Sequence, residues 1–408
     1  MRAPTPGLRP APARLALAAA LLLATAATAS CGGLPTAAGD GPDTAGKGVS
    51  AGHGHPAAPF TLLGTGDVLP HDSIIDQAAA DAAGSGSGEG YDFAPMLSGV
   101  RDTVTAADLA ICHLETVSGG PDGPYTGYPA FTSPPQVSAG LRATGYDSCS
   151  TASNHTLDAG TDGIRWTLEA MDAAGLRHTG SARTAAEARE PALLRTPTGA
   201  RVAQLAYTYG TNEIPLPAGR PWAVNLLEPE RIIADARRAR RAGADVVVVS
   251  VHWGSEWQEA PDELQLRTAR RLTAARTKGR PDIDLILGTH AHVPQPYEKV
   301  NGTWVVYGMG DQIAGRMVNH EGLPDPRGNW GTLARFTFAP PERGGGRWPV
   351  SRAEFLPQLM DLDGPSPRVV NLAAAAGDGP AYYGEIRDRI ADIVLSRGAA
   401  EDGLVMGR

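Results

Sequence analysis

Short apolar segments alternate with amphipathic helical stretches along most of this chain. The apolar segments that predict strands lie at 60–65, 107–112, 145–149, 201–206, 245–251, 283–288, 303–307 and 332–338. Helical periodicity appears between several of them, at 163–174, 228–242 and 261–277. The segment 246–251 is apolar almost throughout, which is typical of a strand covered on both faces. This alternation of strands and helices predicts an α/β fold built in layers.

Five of the predicted strands end in residues of the types that bind metals. They lead into Gly66-Asp67, His113-Leu114-Glu115, Ser153-Asn154-His155, His252-Trp253-Gly254 and Gly288-Thr289-His290-Ala291-His292. Taken singly, a Gly-Asp pair is most often a turn, and a histidine beside a strand is most often a packed core residue. Because loops at the carboxyl ends of strands gather at one edge of a layered sheet, their joint occurrence predicts one shared site.

The residue types at these strand ends match the needs of a metal-dependent hydrolytic site. Carboxylates, an amide oxygen and imidazoles suit Mn, Fe or Zn about equally. In two-metal sites the ions stand roughly 3.5–4 Å apart and act together on the attacking and leaving oxygens. A further histidine serves to protonate the leaving oxygen. The sequence therefore predicts a centre for divalent ions, with room for two.

Composition narrows the classes of function. Of the 408 residues, 42% are hydrophobic and 20% are charged, which is typical of a globular protein with a large core. The formal net charge of -8 argues against nucleic acid as a partner, because binding to the phosphate backbone requires a basic face. Cys112 and Cys149 each end a predicted strand, and a disulfide and two buried thiols are equally compatible with that placement.

The N-terminus has the pattern of an export signal. Basic residues precede an apolar run at 15–27, and small residues then lead to Cys31. A cysteine in this position is typical of a bacterial lipobox, in which it is lipidated, although Thr28 stands where leucine is preferred. We therefore expect an exported protein that is lipid-anchored through Cys31 at the outer face of the cell membrane. A plainly secreted protein is the alternative.

These patterns divide the chain into four segments. Residues 1–31 form the predicted signal peptide with its lipobox-like cysteine. The segment 32–58, rich in Gly, Ala, Pro and Thr, is a predicted flexible linker. The main predicted domain covers 59–340, and 341–408 add a strand and an amphipathic helix that pack on it.

The order of the five strand ends resembles that of the calcineurin-like metallophosphoesterases. The local sequences resemble one branch of them, the capsule synthesis protein CapA (PgsA) family of poly-γ-glutamate biosynthesis. The matching segments are 114–116 (LET), 152–160 (ASNHTLDAG), 251–257 (VHWGSEW), 288–295 (GTHAHVPQ) and 307–311 (YGMGD). The resemblance covers about residues 60–340. It implies a layered, metallophosphoesterase-like β-sandwich flanked by helices in the order α-β-β-α.

The resemblance also implies a role for each residue at the strand ends. It assigns Asp67 and His292 to the first metal site, Asn154, His252 and His290 to the second, and Glu115 to the bridging position. His155 takes the place of the acid that meets the substrate. The spacing of Asp158 from His155 adds the expectation that Asp158 orients this histidine.

Two departures concern the first metal site. The superfamily usually has a histidine two residues after the first aspartate, where this chain has Leu69, and His71 comes only two residues later. CapA relatives generally lack that histidine too, so the first site is expected to be weak or empty. The family usually has asparagine at the position of His113, which either adds a ligand here or packs.

Two further expectations concern the mouth of the site. Asp311 stands where the family has asparagine, which changes either the metal preference or the charge of the accepted substrate. Trp253 and Trp257 follow the strand that ends at His252, and they either line the pocket or pack at the strand end.

The function implied is that of an exported, membrane-tethered CapA-like metallophosphatase. It would carry out metal-assisted hydrolysis or transfer at phosphorus or at an acyl carbon. Its expected partners are an anionic envelope polymer or another phosphoester substrate, and a polymer synthase in the membrane. Three alternatives stay open: a general extracytoplasmic phosphoesterase, an amide or peptide hydrolase that releases or transfers the polymer, and a non-catalytic subunit that binds the polymer or the synthase.

Overall fold

The computed structural model describes residues 58–86, 88–342, 346–375, 377 and 379–408. The predicted signal peptide, Cys31 and nearly all of the predicted linker lie outside the described residues. The strands are β1 (Phe60–Leu69), β2 (Leu109–Leu114), β3 (Val117–Ser118), β4 (Thr132–Ser133), β5 (Ser148–Ser150), β6 (Arg177–Thr179), β7 (Ala192–Arg195), β8 (Arg201–Thr208), β9 (Val246–His252), β10 (Arg276–Thr277), β11 (Arg280–Pro281), β12 (Leu285–Thr289), β13 (Tyr297–Val300), β14 (Thr303–Val306), β15 (Asp311–Ala314), β16 (Trp330–Phe338), β17 (Val350–Asp361), β18 (Arg368–Asn371) and β19 (Leu404–Met406).

Eight α-helices and three short 3-10 helices connect these strands in the described part of the chain. The α-helices are α1 (Asp72–Ser85), α2 (Ser98–Thr105), α3 (Gln136–Thr144), α4 (Gly160–Ala174), α5 (Pro229–Arg241), α6 (Glu263–Thr273), α7 (Leu372–Ala375) and α8 (Ala381–Leu395). The 3-10 helices are Pro95–Leu97, Glu187–Arg189 and Pro326–Asn329. The described helices include none that is long and apolar enough to cross a membrane.

Two large sheets form the centre of the fold. The first has the order β18-β17-β16-β1-β2-β5-β6, with β15 also paired to β1 and β19 to β17. The second has the order β13-β14-β12-β9-β8-β7. β1, β2, β5 and β6 run parallel in the first sheet, as do β8, β9, β12 and β14 in the second. Each sheet therefore presents a row of strand carboxyl ends along one edge.

Three apolar layers hold the sheets and helices together. Between the sheets, Leu62 and Ile111 of the first face Val248 and Leu287 of the second. Helices α1 to α4 cover the outer face of the first sheet, and α5 and α6 cover the outer face of the second. Burial of these faces is the main favourable contribution to folding. The predicted α-β-β-α layering is confirmed.

Several boundaries differ from the sequence predictions for local reasons. The prediction of a strand at 145–149 is wrong in its first half, because Gly145, with φ +115°, caps α3 and only the segment from Ser148 onward is paired. The predicted helix at 261–277 begins after Asp262, which forms a capping box with Gln265. It ends at Thr273, because the chain then enters the β10–β11 hairpin.

The region after residue 340 belongs to the first sheet. β17 pairs with β16 in antiparallel register from Trp330↔Leu359 to Phe338↔Val350, and it also pairs with β18 and β19. Cys112 of β2 and Cys149 of β5 lie opposite each other and form a disulfide, with their Cα atoms 4.4 Å apart.

Candidate metal centre

The two edges that carry the carboxyl ends of the parallel strands meet, and they bring the predicted ligands together. Asp67 lies on β1, Glu115 directly follows β2, and Asn154 lies in the loop after β5. On the second sheet, His252 ends β9, and the turn after β12 carries the remaining two histidines. The backbone N–H of His290 donates to Asp67 Oδ2 (3.0 Å), and His252 Nε2–H donates to Asn154 Oδ1 (2.8 Å). Both bonds join one sheet to the other.

Four overlapping groups of ligand atoms lie in this region, and within each group the atoms are less than 4.8 Å apart. They are Asp67 with His113 and His252, Glu115 with His252 and His290, Glu256 with His290 and His292, and Asp67 with Glu115 and His292. The second and fourth groups contain ligands that the sequence assigned to two separate ions, with Glu115 common to both. The predicted convergence is thus observed in the chain.

The spacing of these atoms fits ligands of a cation better than it fits hydrogen bonds. His252 Nδ1 lies 3.6 Å from Asp67 Oδ1, and His252 Nε2 lies 3.6 Å from Glu115 Oε1. An N–H···O hydrogen bond is about 2.7–3.2 Å long. Two ligands that are each roughly 2.0–2.2 Å from one tetrahedral ion are about 3.3–3.6 Å apart. The observed separations match the second case.

Several buried polar atoms of the centre lack a hydrogen-bond partner among the described residues. They are Asp67 Oδ1, both carboxylate oxygens of Glu115, His113 Nε2, His290 Nδ1 and Asp311 Oδ2. Buried polar groups are nearly always paired, because leaving them unpaired costs free energy. Divalent cations satisfy such carboxylate and imidazole atoms directly. The residues present therefore fit a metal centre.

Burial shifts the pKa values of these groups away from their ordinary ranges. It raises the pKa of Asp67 to about 8, with a further rise from the neighbouring Asp311 carboxylate. Burial likewise raises the pKa of Glu115 well above its usual value, and it lowers the pKa of His252 and His290 well below theirs. A bound cation favours the ionised carboxylates and the neutral imidazoles, so it reverses the cost of burying the carboxylates.

The Gly-Thr-His-Ala-His turn after β12 holds both histidines in an unusual backbone conformation. His290 has φ +94° and His292 has φ +57°, a region that side chains other than glycine rarely occupy. Asp311 accepts a hydrogen bond from His292 Nδ1–H (3.0 Å). Burial opposes a charge on His292, but the carboxylates of Asp311 and Glu115 raise its pKa well above the usual value. Backbone strain of this kind concentrates at functional sites.

Some residues that form hydrogen bonds to the ligands were not identified as functional by the sequence analysis. Thr289 Oγ1 lies 3.0 Å from His252 Nδ1, and Asn154 Nδ2–H donates to Asn212 Oδ1 (3.1 Å). Asn212 itself has a positive φ of +47°. Glu256, four residues after His252, was also missed. Its spacing alone does not distinguish it from a solvated loop residue, because the loop has to turn back before its carboxylate reaches the histidines.

His155 and Asp158 form a pair beside the ligand cluster, as predicted from their spacing. His155 Nδ1–H donates to Asp158 Oδ2 (2.7 Å), and the same oxygen accepts from the backbone N–H of Phe131 (2.8 Å). The Phe131 ring meets the His155 ring edge-on at 4.8 Å. With Nδ1 engaged, Nε2 is the nitrogen left for a substrate, and the carboxylate fixes this tautomer.

A cavity of about 430 Å³ opens next to the centre. Its wall includes His155, His292, Phe131 and Trp257, together with the segment 316–322. The cavity therefore adjoins both the His155–Asp158 pair, through His155, and the ligand cluster, through His292.

Residues 61–316 match the family model described as the bacterial capsule synthesis protein PGA_cap. The chain belongs to the PGA_cap family. The resemblance to CapA-type capsule proteins that the local sequences indicated is thereby confirmed, and the match includes every residue of the ligand cluster. Strands β16 to β19 of the first sheet follow the matched residues in the chain.

Curated proteins of two bacteria are similar to this PGA_cap chain. A probable polyglutamine synthesis accessory protein of Mycobacterium tuberculosis is 29% identical over 220 residues, which are 51% of this chain and 56% of that protein. The PGA biosynthesis protein CapA of Bacillus subtilis is 28% identical over 173 residues, 42% of this chain and 44% of that protein. The chain thus spans about half the length of the curated relatives it matches.

Two solved structures have chain traces similar to that of this chain. The NAD nucleotidase of Haemophilus influenzae has 12% identity and a TM-score of 0.42, over 82% of this chain and 60% of that one. A calcineurin-like phosphoesterase from Bacillus subtilis has 15% identity and a TM-score of 0.40, over 82% and 99%. These values assign no activity to this PGA_cap chain.

His71, Trp253 and Trp257, the remaining candidates from the sequence, differ in their positions. His71 lines the cavity but belongs to none of the four ligand groups. Its Nδ1 lies 3.0 Å from Leu69 O and 3.1 Å from Gly315 N, and burial lowers its pKa to about 4. Trp253 is fully buried, and its indole N–H donates to Tyr307 O (2.9 Å), so it packs, whereas Trp257 lines the cavity.

The predicted position of Asp311 at the mouth is wrong. β15 pairs with β1 in the register Asp67↔Asp311, which places this carboxylate inside the centre, where it is fully buried and holds His292. Asp311 therefore holds the ligand His292 in place and does not set the charge at the entrance of the cavity.

Proposed function

We propose that this PGA_cap chain is an exported, metal-dependent hydrolase or transferase that acts on a phosphoester or acyl linkage of an anionic envelope polymer. The observation that carries the proposal is the buried cluster of carboxylates and imidazoles, with several unpaired atoms, beside the His155–Asp158 pair. The named roles of the relatives, in PGA biosynthesis and polyglutamine synthesis, support a polymer of the poly-γ-glutamate type.

Six side chains would hold the ions: Asp67, Glu115, Asn154, His252, His290 and His292. Bound divalent ions polarise a phosphoryl or acyl group and stabilise the negative charge that develops on it. The set of carboxylate, amide and imidazole ligands suits Mn, Fe or Zn. Glu256 and Asp311 add negative charge to the same region, which strengthens its attraction for cations.

The chain's own proton chemistry is assigned to His155. Asp158 holds Nδ1–H, so Nε2 of the protonated ring donates its proton to the leaving oxygen of an ester, or to the leaving nitrogen of an amide, and takes one from the incoming nucleophile. Because Asp158 is itself fixed by the Phe131 N–H, the imidazole keeps one orientation through the reaction.

Export and anchoring form part of the proposal. Cys31, outside the described residues, would carry the lipid, and the membrane would then place the site near a polymer synthase. Replacement of Cys31 by serine is expected to release the protein from the membrane fraction of cells that express it. Retention of the Cys31→Ser protein in the membrane fraction would contradict the anchor.

The experiment that tests the function measures metal content and turnover together. The purified chain is analysed for Mn, Fe and Zn and then assayed on an aryl phosphodiester, an aryl phosphomonoester and a γ-glutamyl peptide with added Mn²⁺. We expect bound metal and turnover of at least one substrate. Glu115→Gln and His290→Ala are expected to lose both, and His155→Ala is expected to lose turnover while it keeps metal.

His178→Ala provides the matched control, because the half-buried His178 lies outside the ligand groups and pairs with the exposed carboxylate of Asp172. It is expected to keep wild-type metal content and activity. Turnover that survives both His155→Ala and His290→Ala would remove the catalytic assignment. A chain with neither metal nor turnover would instead support a subunit that binds the polymer or the synthase.

A further inference from the structure

His113 is a buried histidine whose two ring nitrogens have different surroundings. Its Nδ1 lies 2.7 Å from Ser150 Oγ, whereas its Nε2 has no hydrogen-bond partner in the part of the chain that the structure describes. The whole residue is only 2% exposed. A histidine that merely packs in a core usually satisfies both nitrogens, because an unpaired buried nitrogen costs free energy. Packing alone therefore does not account for this side chain.

Ser150 engages one ring nitrogen of His113. Its hydroxyl oxygen lies 2.7 Å from Nδ1 and 3.4 Å from the carbonyl oxygen of Cys112, which can only accept a hydrogen bond. In the tautomer that binds a metal, the hydroxyl accepts from His113 Nδ1–H and Nε2 presents its lone pair. Metal-binding histidines are held in the same way, with the second ring N–H donated to a fixed oxygen.

The free Nε2 faces the carboxylate of Asp67. β1 and β2 are parallel neighbours with the register Asp67↔His113, and Nε2 lies 3.5 Å from Asp67 Oδ1, the oxygen that is itself unpaired. This distance is too long for a hydrogen bond. It matches the separation of about 3.3–3.6 Å between two ligands of one tetrahedral ion. The ring also stacks on His252 at 4.7 Å, which fixes its plane.

The positions two and four residues after Asp67 do not supply a nitrogen to its ion. Leu69, two positions after Asp67, is apolar and buried. His71 lies in none of the four ligand groups, and its Nδ1 contacts the backbone at Leu69 and Gly315. His113, in contrast, belongs to a group with Asp67 and His252.

We infer that His113 is a ligand of the ion that Asp67 binds and that Ser150 positions it. The inference rests on the proposed metal-dependent function and extends it to a ligand supplied by the neighbouring strand. With His113 included, four imidazoles converge on the centre: His113, His252, His290 and His292. A ligand set this rich in imidazole favours Zn or Fe over Mg or Ca.

The test uses the full chain and Co²⁺ as a spectroscopic probe. Metal-free protein is titrated with Co²⁺, and the number of ions, their affinity and the visible absorption bands are recorded. In His113→Phe, which keeps a flat ring against His252 but has no nitrogen, we expect one ion to bind more weakly by over 100-fold and its bands to change. In Ser150→Ala we expect a loss of about 10- to 100-fold, which is typical of partners behind a ligand.

His178→Phe is the control for the ring substitution and is expected to bind Co²⁺ like the wild type. Wild-type affinity and spectrum in His113→Phe would overturn the inference and leave the proposed function intact. A wild-type chain that binds neither Co²⁺ nor Zn²⁺ would overturn the function as well. If His113→Phe does not fold by circular dichroism, Ser150→Ala decides, because unchanged Co²⁺ affinity in that variant also overturns the inference.

Discussion

The close approach of β1 to the strand after Met309 depends on the absence of a side chain at Gly66. A Cβ atom at this position would lie 1.8 Å from Gly310 O and 2.8 Å from its carbonyl carbon, whereas contacts under 3.0 Å essentially do not occur. The Gly66→Ala substitution therefore has to push these two backbones apart by at least 1.2 Å, the difference between 3.0 and 1.8 Å. That shift breaks the hydrogen bond from Asp67 N–H to Gly310 O (3.0 Å).

The cost has two parts. Overpacking of a rigid site costs about 1–3 kcal/mol, and the lost buried hydrogen bond costs about 1 kcal/mol more. We therefore expect Gly66→Ala to lower the free energy of unfolding by about 2–4 kcal/mol in urea titrations followed by tryptophan fluorescence. Because Asp67 moves with β1, we also expect the variant to bind less metal than the wild type.

Gly84→Ala is the matched control, since Gly84 lies in α1 and a Cβ there meets no atom within 4 Å. In a helix this change is expected to stabilise the chain by about 0.5–1 kcal/mol. The reasoning is refuted if Gly66→Ala unfolds within 1 kcal/mol of the wild type and keeps its full metal content.

Three further predictions concern the centre and the disulfide. Asp158→Asn is expected to lower kcat by about 10- to 100-fold, part of what a general acid contributes, with metal content unchanged; loss of metal would contradict its role through His155. In the folded protein the pKa of Asp67 is about 8, above its ordinary value of 3.8, so ionisation of this carboxyl lowers the free energy of unfolding of the metal-free protein. Urea titrations in EDTA should therefore show stability falling from pH 6.5 to 8, by up to about 1.4 kcal/mol per pH unit, and Mn²⁺ should abolish the fall; rising stability in EDTA would refute this. Replacement of Cys112 and Cys149 by serine is expected to cost up to about 4 kcal/mol, and equal unfolding midpoints with and without reductant would exclude the bond.

Much of the centre could be predicted from the sequence because its ligands directly follow apolar segments. The run 246–251 predicts a buried strand, and His252 at its end has only one edge of the sheet to face. The same reasoning applies to Asp67 and to the two histidines after β12. Position along a strand determines the face and the edge, so these residues were located without knowledge of the loops.

The rest depends on distances that the sequence does not encode. The position of Asp311 was predicted wrongly, because it depends on the pairing register with β1, and no local sequence pattern indicates that register. Ser150 and Asn212 support ligands that are 37 and 58 positions away in the chain. The pairing of Cys112 with Cys149 stayed open for the same reason. Helices α1 to α3 were missed, since alanine gives α1 little contrast between apolar and polar faces, and α2 and α3 are short.

The strand that bears Asp67 is paired on one side with a strand from far along the chain. Phe60 lies opposite Phe338 in β16, and β16 in turn relies on β17, which ends at Asp361. Contacts between such distant residues form slowly, because a long loop has to close first. A nascent chain consequently has no finished first sheet until its last quarter has been made.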